Sequence, residues 1–431
     1  MINLFLILSV ACSNQGSSKK KEDISVRKVE IKHNDGKYRL FVDGQEFYVK
    51  GAGLEHGNIE ALAESGANSF RTWRTDNGRQ SGKEVLDEAY DNGLMVMMGI
   101  EVGRERHGFN YNDKGWVAEQ KENIRNQVME LKDHPALLGW GIGNELNLHY
   151  TNKKVWDAVN DISKMIHEID ENHPTTTMLS GIGKAEVDYI RENCSDLDFL
   201  CVQFYGDIEN LAARIEDSGY KGPYLVTEWG ATGHWEVPAT AWGVPIEQTS
   251  SEKAAAVKYR YENSILADSS NCMGSFVFLW GQKQERTPTW YGLFTEKGEK
   301  MEAIDVMQLF WTGEWPENRA PRIIEAGING LGRYDGIVIS PESENNAMVK
   351  YEDTDNDSIK IECIIMKEAT ELGDGGDDEP RPETLETNIS CNNNGEITFT
   401  APVEKGAYRL FIYVRDNNNH AGTVNIPFKV E

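Results

Sequence analysis

Eight short apolar runs alternate with amphipathic helical stretches from Val26 to about Trp315, and two of those runs stop at a glutamate. The runs are Phe47–Gly53, Ala67–Trp73, Leu94–Ile100, Leu138–Gly143, Thr176–Ser180, Phe199–Tyr205, Tyr224–Thr227 and Gly274–Trp280. Clear helical stretches between them are Ser81–Asn92, Glu119–Lys132, Lys153–Asn172 and Ser251–Ala267, with Gly93 reading as a helix C-cap. Strand–helix alternation of this kind specifies a parallel sheet covered by helices. Eight such units in this length give a (β/α)8 barrel. An open doubly wound sheet is the rival, but no GxGxxG follows the first strand. A hairpin over Lys37–Val49, turned at Asp43-Gly44, is expected to cover the barrel floor.

The fourth run continues into Asn144-Glu145 and the seventh into Glu228-Trp229-Gly230. The middle of a buried strand has no place for a carboxylate, because an unpaired buried charge is costly. The C-terminal end of a barrel strand opens onto the face where barrel active sites lie. Strands four and seven stand across the mouth from each other. Two carboxylates there supply what glycosidic hydrolysis needs: a proton donor for the leaving oxygen and a group to stabilise or attack the anomeric carbon.

The texture changes at Gly313–Pro321, a stretch with two prolines. Beyond it lie short β-type runs, among them Gly336–Ser340, Ala347–Tyr351, Ile359–Met366, Glu396–Thr400, Ala407–Val414 and Thr423–Val430. Their spacing predicts a C-terminal immunoglobulin-like β-sandwich over residues 319–431, after a catalytic barrel over 26–315. The acidic, glycine-rich stretch Glu371–Glu383 reads as a loop. The sandwich has no aromatic platform, since every tryptophan lies at or before Trp315, and a supporting role is expected of it.

The chain of 431 residues carries 44 Lys+Arg against 70 Asp+Glu, a net charge of −26. That balance excludes a nucleic-acid partner, which requires a basic footprint. A neutral glycan is indifferent to it. No cysteine or histidine cluster has metal-ligand spacing, so neither a metal nor a cofactor is expected. Of Cys194, Cys201, Cys272, Cys363 and Cys391, only Cys363 with Cys391 is a candidate disulfide, and buried free thiols are the default. Asp353–Asp357 opens like a calcium loop but lacks the glycine and glutamate of an EF-hand, so a turn is expected.

Residues 4–11 form an uncharged apolar run, too short to span a bilayer, that ends at Cys12 and is followed by a polar tether. This resembles a bacterial lipoprotein signal with Cys12 as the lipidated residue, although no positive charge precedes the run and Ser9 stands where a leucine is usual. A cleaved secretion signal is the alternative. Either implies export, and the first implies a lipid-anchored protein of a Gram-negative bacterium whose only membrane contact is its anchor. Residues 1–25 are set apart from the fold as signal and tether. No protein partner is expected.

With these motifs the chain resembles the clan of retaining glycoside hydrolases built on (β/α)8 barrels, which includes families 2 and 5. His134-Pro135 followed by Trp140-Gly141-Ile142-Gly143-Asn144-Glu145 is close to the family 2 pattern around the acid/base, and Thr227-Glu228-Trp229-Gly230 matches the nucleophile strand. The resemblance implies that Glu145 is the general acid/base and Glu228 the nucleophile. It implies that Asn144 holds the sugar 2-hydroxyl, that Arg71 stands beside the nucleophile, that Tyr205 donates to it, and that Trp280 forms an aromatic floor under the sugar. Exported barrel plus one immunoglobulin-like domain is also similar to family 158, whose activity is endo-β-1,3-glucanase. The implied substrate is therefore a β-glycan, with endo-β-1,3-glucan first and β-galactosides, β-mannosides or β-1,4-glucans as alternatives. A non-catalytic surface glycan-binding lipoprotein is the rival from another class. His56, His149 and His234 follow strands one, four and seven and are candidates for the cleft. The loops after strands seven and eight carry Trp235, Trp242, Trp290 and Tyr291, which suit stacking on sugar faces.

Overall fold

The computed structural model describes residues 25–431; the apolar run and Cys12 lie outside the described residues. Eight parallel strands close into a barrel: Val49–Gly53, Ser69–Arg71, Met95–Ile100, Leu137–Asn144, Thr175–Ser180, Phe199–Gln203, Tyr224–Glu228 and Cys272–Val277. The eighth pairs with the first from Gly274↔Val49 to Val277↔Ala52, which closes the ring.

The helices form where capping and periodicity agree. Ser81 accepts from the Glu84 amide while the Glu84 side chain returns to the Ser81 amide, so the helix Gly82–Asp91 starts on a complete capping box. Thr249 and Glu252 do the same for Ser250–Arg260. Helix Lys154–Ile169 buries Val155, Trp156, Val159, Ile162 and Ile166, the one-sided repeat of a helix lying on a sheet. Each such side chain contributes about 1.5–3 kcal/mol on leaving water.

Below the barrel, strands Val29–Asn34, Lys37–Val42 and Gln45–Glu46 form a small antiparallel sheet. Its turn has φ of 50° at Asp43 and 76° at Gly44, left-handed at both positions as a tight hairpin requires. Val29, Leu40 and Val42 pack against Met95, Leu138, Phe199 and Leu225, sealing the N-terminal end of the barrel. The opposite, C-terminal end of the barrel is left uncovered by this sheet.

The last barrel helix ends at Thr312 and the first sandwich strand, Arg322–Ile328, begins soon after. The C-terminal unit is a sandwich of a five-stranded and a four-stranded sheet, antiparallel except where Ile337–Ile339 pairs with the last strand. Arg322–Ile328 and Ile389–Cys391 are strands the sequence pattern missed; the first follows directly on prolines that read as linker. Cys363 and Cys391 are both free thiols.

The two units share a buried polar junction. The Glu247 carboxylate, 2% exposed, accepts from Lys253 and from Thr289 Oγ1 at 2.9 Å on the barrel side, and from Asn425 Nδ2 at 2.5 Å on the sandwich side. Arg409 of the sandwich, 1% exposed, donates to the Pro245 carbonyl at 2.6 Å. Arg333 reaches Glu252 at 2.7 Å. Buried charges need this degree of pairing, and the pairing fixes how the sandwich meets the barrel.

Candidate active site

A cleft of about 1040 Å³ opens at the C-terminal mouth of the barrel, and both Glu145 and Glu228 line it. Glu228 ends the seventh strand and is 5% exposed. Four donors converge on it. Trp73 Nε1 donates to Oε1 at 2.9 Å, Gln203 Nε2 to Oε1 at 3.1 Å and Tyr205 Oη to Oε2 at 2.9 Å. The Arg71 guanidinium lies 3.4 Å from Oε1. A carboxylate held this way is fixed in rotamer.

Glu145 leaves the fourth strand through a kink. Pairing with the fifth strand is irregular between Gly141 and Asn144. Gly143 has φ 74°, and a Cβ there would meet Leu146 Cδ1 at 2.5 Å, so only glycine fits. Glu145 itself has φ 51°, a conformation rare outside glycine that recurs at functional sites. The kink turns the carboxyl toward the cleft. Burial and the neighbouring Glu228 charge push its pKa up to about 7, against the pull of Ser180, Arg104 and Arg71. The two carboxylates therefore sit in opposed surroundings: one bathed in donors, the other desolvated and able to keep its proton near neutrality.

Arg71 and Asn144 are joined. Arg71, 1% exposed, donates from Nη2 to Asn144 Oδ1 at 2.8 Å and from Nη1 to the Thr227 carbonyl at 3.2 Å. Gln203 Nε2 also donates to Asn144 Oδ1, at 2.7 Å. With two donors on its oxygen, the Asn144 amide is oriented with Nδ2 left to donate elsewhere. Tyr205 lies where the sequence placed it, and burial and the Glu228 charge raise its pKa well above that of an ordinary tyrosine, so it remains a donor.

Trp280 departs from expectation. It borders the cleft but is 0% exposed. Its Nε1 is tied to the Asn58 carbonyl at 2.9 Å and its ring packs on Phe294 and Trp311, so it supports the floor without presenting a face. Trp290 and Tyr291 are likewise buried loop anchors. The exposed ring is Trp235, 60% accessible, which lines the cleft edge-on to Tyr205 at 5.5 Å. His56 and His234 line the cleft, whereas His149 is an exposed partner of Asp374 at 2.8 Å. Burial and Arg286 push His234 down to about 4, so it is neutral near pH 7.

Two residues on Glu228 were not assigned from sequence, Trp73 and Gln203. A signal was present for both. Each stands two residues from an assigned position, Arg71 or Tyr205, and alternate residues of an extended chain point to the same side.

The sandwich also reaches the mouth. Asp374, Gly375, Gly376, Asp377, Asp378 and Glu379, within the stretch read as a loop, line the same cleft as the two glutamates. The stretch is tied to the loop after the eighth strand by Lys283 Nζ on the Gly376 carbonyl at 2.7 Å and by Arg286 on Glu379 at 2.5 Å. It is tied to the loop after the third strand by Arg106 on Asp377 at 2.8 Å. The expected purely supporting role of the sandwich is therefore incomplete: one of its loops forms a wall of the cleft.

Residues 58–236 match the model of glycosyl hydrolases family 2, TIM barrel domain, a stretch running from the exit of the first strand past the seventh. Among solved structures the chain is similar to the β-D-glucuronidase of Dictyoglomus thermophilum, with TM-score 0.54 and 18% identity over 69% of this chain and 55% of that one. It is similar to β-glucuronidase 2 of Bacteroides uniformis, with TM-score 0.52 and 15% identity over 94% of this chain and 48% of the other. It is also similar to a β-galacturonidase of Eisenbergiella tayi, with TM-score 0.52 and 16% identity over 67% and 54%. The chain spans about half the length of these structures. No curated protein matches it in sequence. The barrel is thus similar to the family 2 glycoside hydrolase barrel domain over that stretch.

Proposed function

We propose that the protein is a retaining β-glycosidase acting by double displacement, with Glu228 as nucleophile and Glu145 as general acid/base. The observation that carries this is the opposed environment of the two carboxylates. Glu228 is held by Arg71, Tyr205, Trp73 and Gln203; the Glu145 pKa is raised to about 7 by burial and by Glu228. In the first step Glu228 attacks the anomeric carbon while Glu145 passes its proton to the leaving oxygen. In the second, Glu145 accepts a proton from water as that water displaces the enzyme carboxylate. Asn144 Nδ2 is placed to donate to a sugar hydroxyl, Arg71 and Tyr205 balance charge on Glu228, and Trp235 offers a stacking face at the rim. Trp280 contributes only as support.

The leading substrate is a neutral β-glucan, with endo-β-1,3-glucan first; β-galactosides, β-mannosides and β-1,4-glucans use the same machinery. The three similar solved structures are uronidases. In this cleft, however, each lining arginine and lysine is engaged by a carboxylate, Arg74 by Glu55 at 2.8 Å, Lys283 by Glu285 at 2.9 Å and Arg104 by Asp377 at 3.9 Å. That supports placing neutral sugars first. We further propose that the protein is exported and anchored through Cys12, with residues 1–25 as signal and tether.

Product analysis tests the function. The chain beginning after Cys12 is incubated with β-1,3-, β-1,4- and mixed-linkage glucans, mannan and galactan. Oligosaccharides released from β-1,3-glucan, first as the β-anomer, are expected. Cleavage of another glycan alone keeps the mechanism and replaces the substrate. Binding without product from any of them favours a glycan-binding protein.

A further inference from the structure

Arg104, Arg106 and His107 form a cationic cluster on the loop after the third barrel strand, and one sandwich residue occupies it. Asp377 Oδ2 accepts from Arg106 Nη1 at 2.8 Å and lies 3.2 Å from His107 Nε2, while Oδ1 is 3.9 Å from Arg104. Arg106 also holds the carbonyls of Asp374 at 2.8 Å and Gly375 at 3.2 Å. The segment is shaped for this approach: Gly375 has φ 56°, and a Cβ there would lie 2.3 Å from Leu148 Cδ2. Burial works against the Asp377 charge, yet the His107 and Arg106 contacts hold its pKa below the usual carboxylate value, so the plug is anionic.

The cluster belongs to the cleft. Arg104 and His107 both line it, and the Arg104 charge is felt by Glu145. Two arginines and a histidine converging beside an acid/base are a receptor for a carboxylate. Here the chain fills that receptor with its own carboxylate. Among the described residues, Asp378 of the docked segment and Glu101 of the barrel also line the cleft without an ion-pair partner, so the mouth carries an excess of negative charge.

We propose that Asp377 is a specificity-determining residue: by occupying the Arg104–Arg106–His107 cluster from the sandwich domain, it bars acidic sugars from the cleft and reserves the site for neutral glycans. This rests on the glycosidase reading of the site. It makes substrate choice a joint property of both domains, with the barrel supplying the chemistry and a sandwich side chain deciding the charge of what enters.

The test uses the full chain after Cys12, as native protein and as Asp377→Asn. Two readouts are taken: kcat/KM on aryl β-glucoside, β-galactoside, β-mannoside and β-glucuronide, and calorimetric binding of free glucuronate. Native protein is expected to favour a neutral glycoside and to bind glucuronate negligibly. In Asp377→Asn the ratio of glucuronide to best neutral kcat/KM rises about tenfold or more, and salt-sensitive glucuronate binding appears. An unchanged ratio, or an equal fall on all substrates, overturns the proposal, since a purely structural role lowers both kinds alike. So does a native preference for the glucuronide. If native protein cleaves neither these aryl glycosides nor any glycan of the panel above, the glycosidase reading fails, and the glucuronate titration still decides the role of Asp377. Should Asp377→Asn fail to fold, Arg286→Ala loosens the same segment from its other anchor and is expected to move both readouts in the same direction; its failure to do so overturns the proposal.

Discussion

Arg71 Nη2 donates to Asn144 Oδ1 at 2.8 Å while Nη1 of the same guanidinium lies 3.4 Å from Glu228 Oε1. One buried cation from the second strand thus sets both Asn144, the residue before Glu145, and Glu228 itself. Arg71→Lys keeps the charge but not the fork geometry. Its kcat is expected to fall about 100-fold with KM changed much less, because orientation at the reacting centre is lost while the rest of the cleft persists. Steady-state kinetics on an aryl β-glycoside read this out.

Glu228→Gln preserves shape and removes the carboxylate proposed as nucleophile. Turnover is expected to fall by about 10⁴-fold or more. Glycan affinity, measured calorimetrically, is expected to stay within a few-fold of native. Retained turnover would remove Glu228 from the mechanism.

The pH dependence follows from the proposed general-acid role of Glu145. Its pKa is raised to about 7 by burial and by Glu228, so the proton needed by the leaving group is present below that value and lost above it. The profile of kcat/KM is expected to turn down through about pH 7 on the alkaline side, falling about tenfold per unit beyond. In Glu145→Gln that alkaline limb disappears and kcat for unactivated glycosides drops about 10²–10⁴-fold. A native profile flat to pH 9 contradicts the assignment.

At the domain junction, Glu247→Ala strands the Lys253 ammonium, which is 8% exposed with Glu247 as its carboxylate partner. Removing one member of a buried ion pair costs about 3–5 kcal/mol. The thermal unfolding temperature is expected to drop by several degrees. Because Asn425 of the sandwich loses the same acceptor, the barrel and sandwich transitions are expected to separate in calorimetry. An unchanged single transition shows that the junction does not couple them.

The barrel strands were legible because each is an apolar run long enough to cross a sheet and bounded by turn signals, so predicted and observed ends differ by only a few residues. Strand Arg322–Ile328 was not, because its pattern abuts prolines and alternates weakly, with Glu325 exposed beside the buried Ala326. Glu145 and Glu228 were legible because a carboxylate is tolerated at the end of a buried strand only where that end opens onto a polar cleft. Trp280 was misread for a related reason. An aromatic residue beyond a barrel strand can face the cleft or the layer behind it, and only the packing of Phe294 and Trp311 against its ring decides which.

By itself the sequence determined the eight-fold alternation, the sandwich that follows it, and the pair of strand-ending glutamates, since these depend on local periodicity and on the cost of burying charge. Only the tertiary structure decided that Trp73 and Gln203 close on Glu228, and that Asp377 of the sandwich seats itself among Arg104, Arg106 and His107. Those contacts join residues up to 271 positions apart. Local pattern carries no information about such encounters, because hydrogen-bond and ion-pair geometry exists only once separate elements have packed.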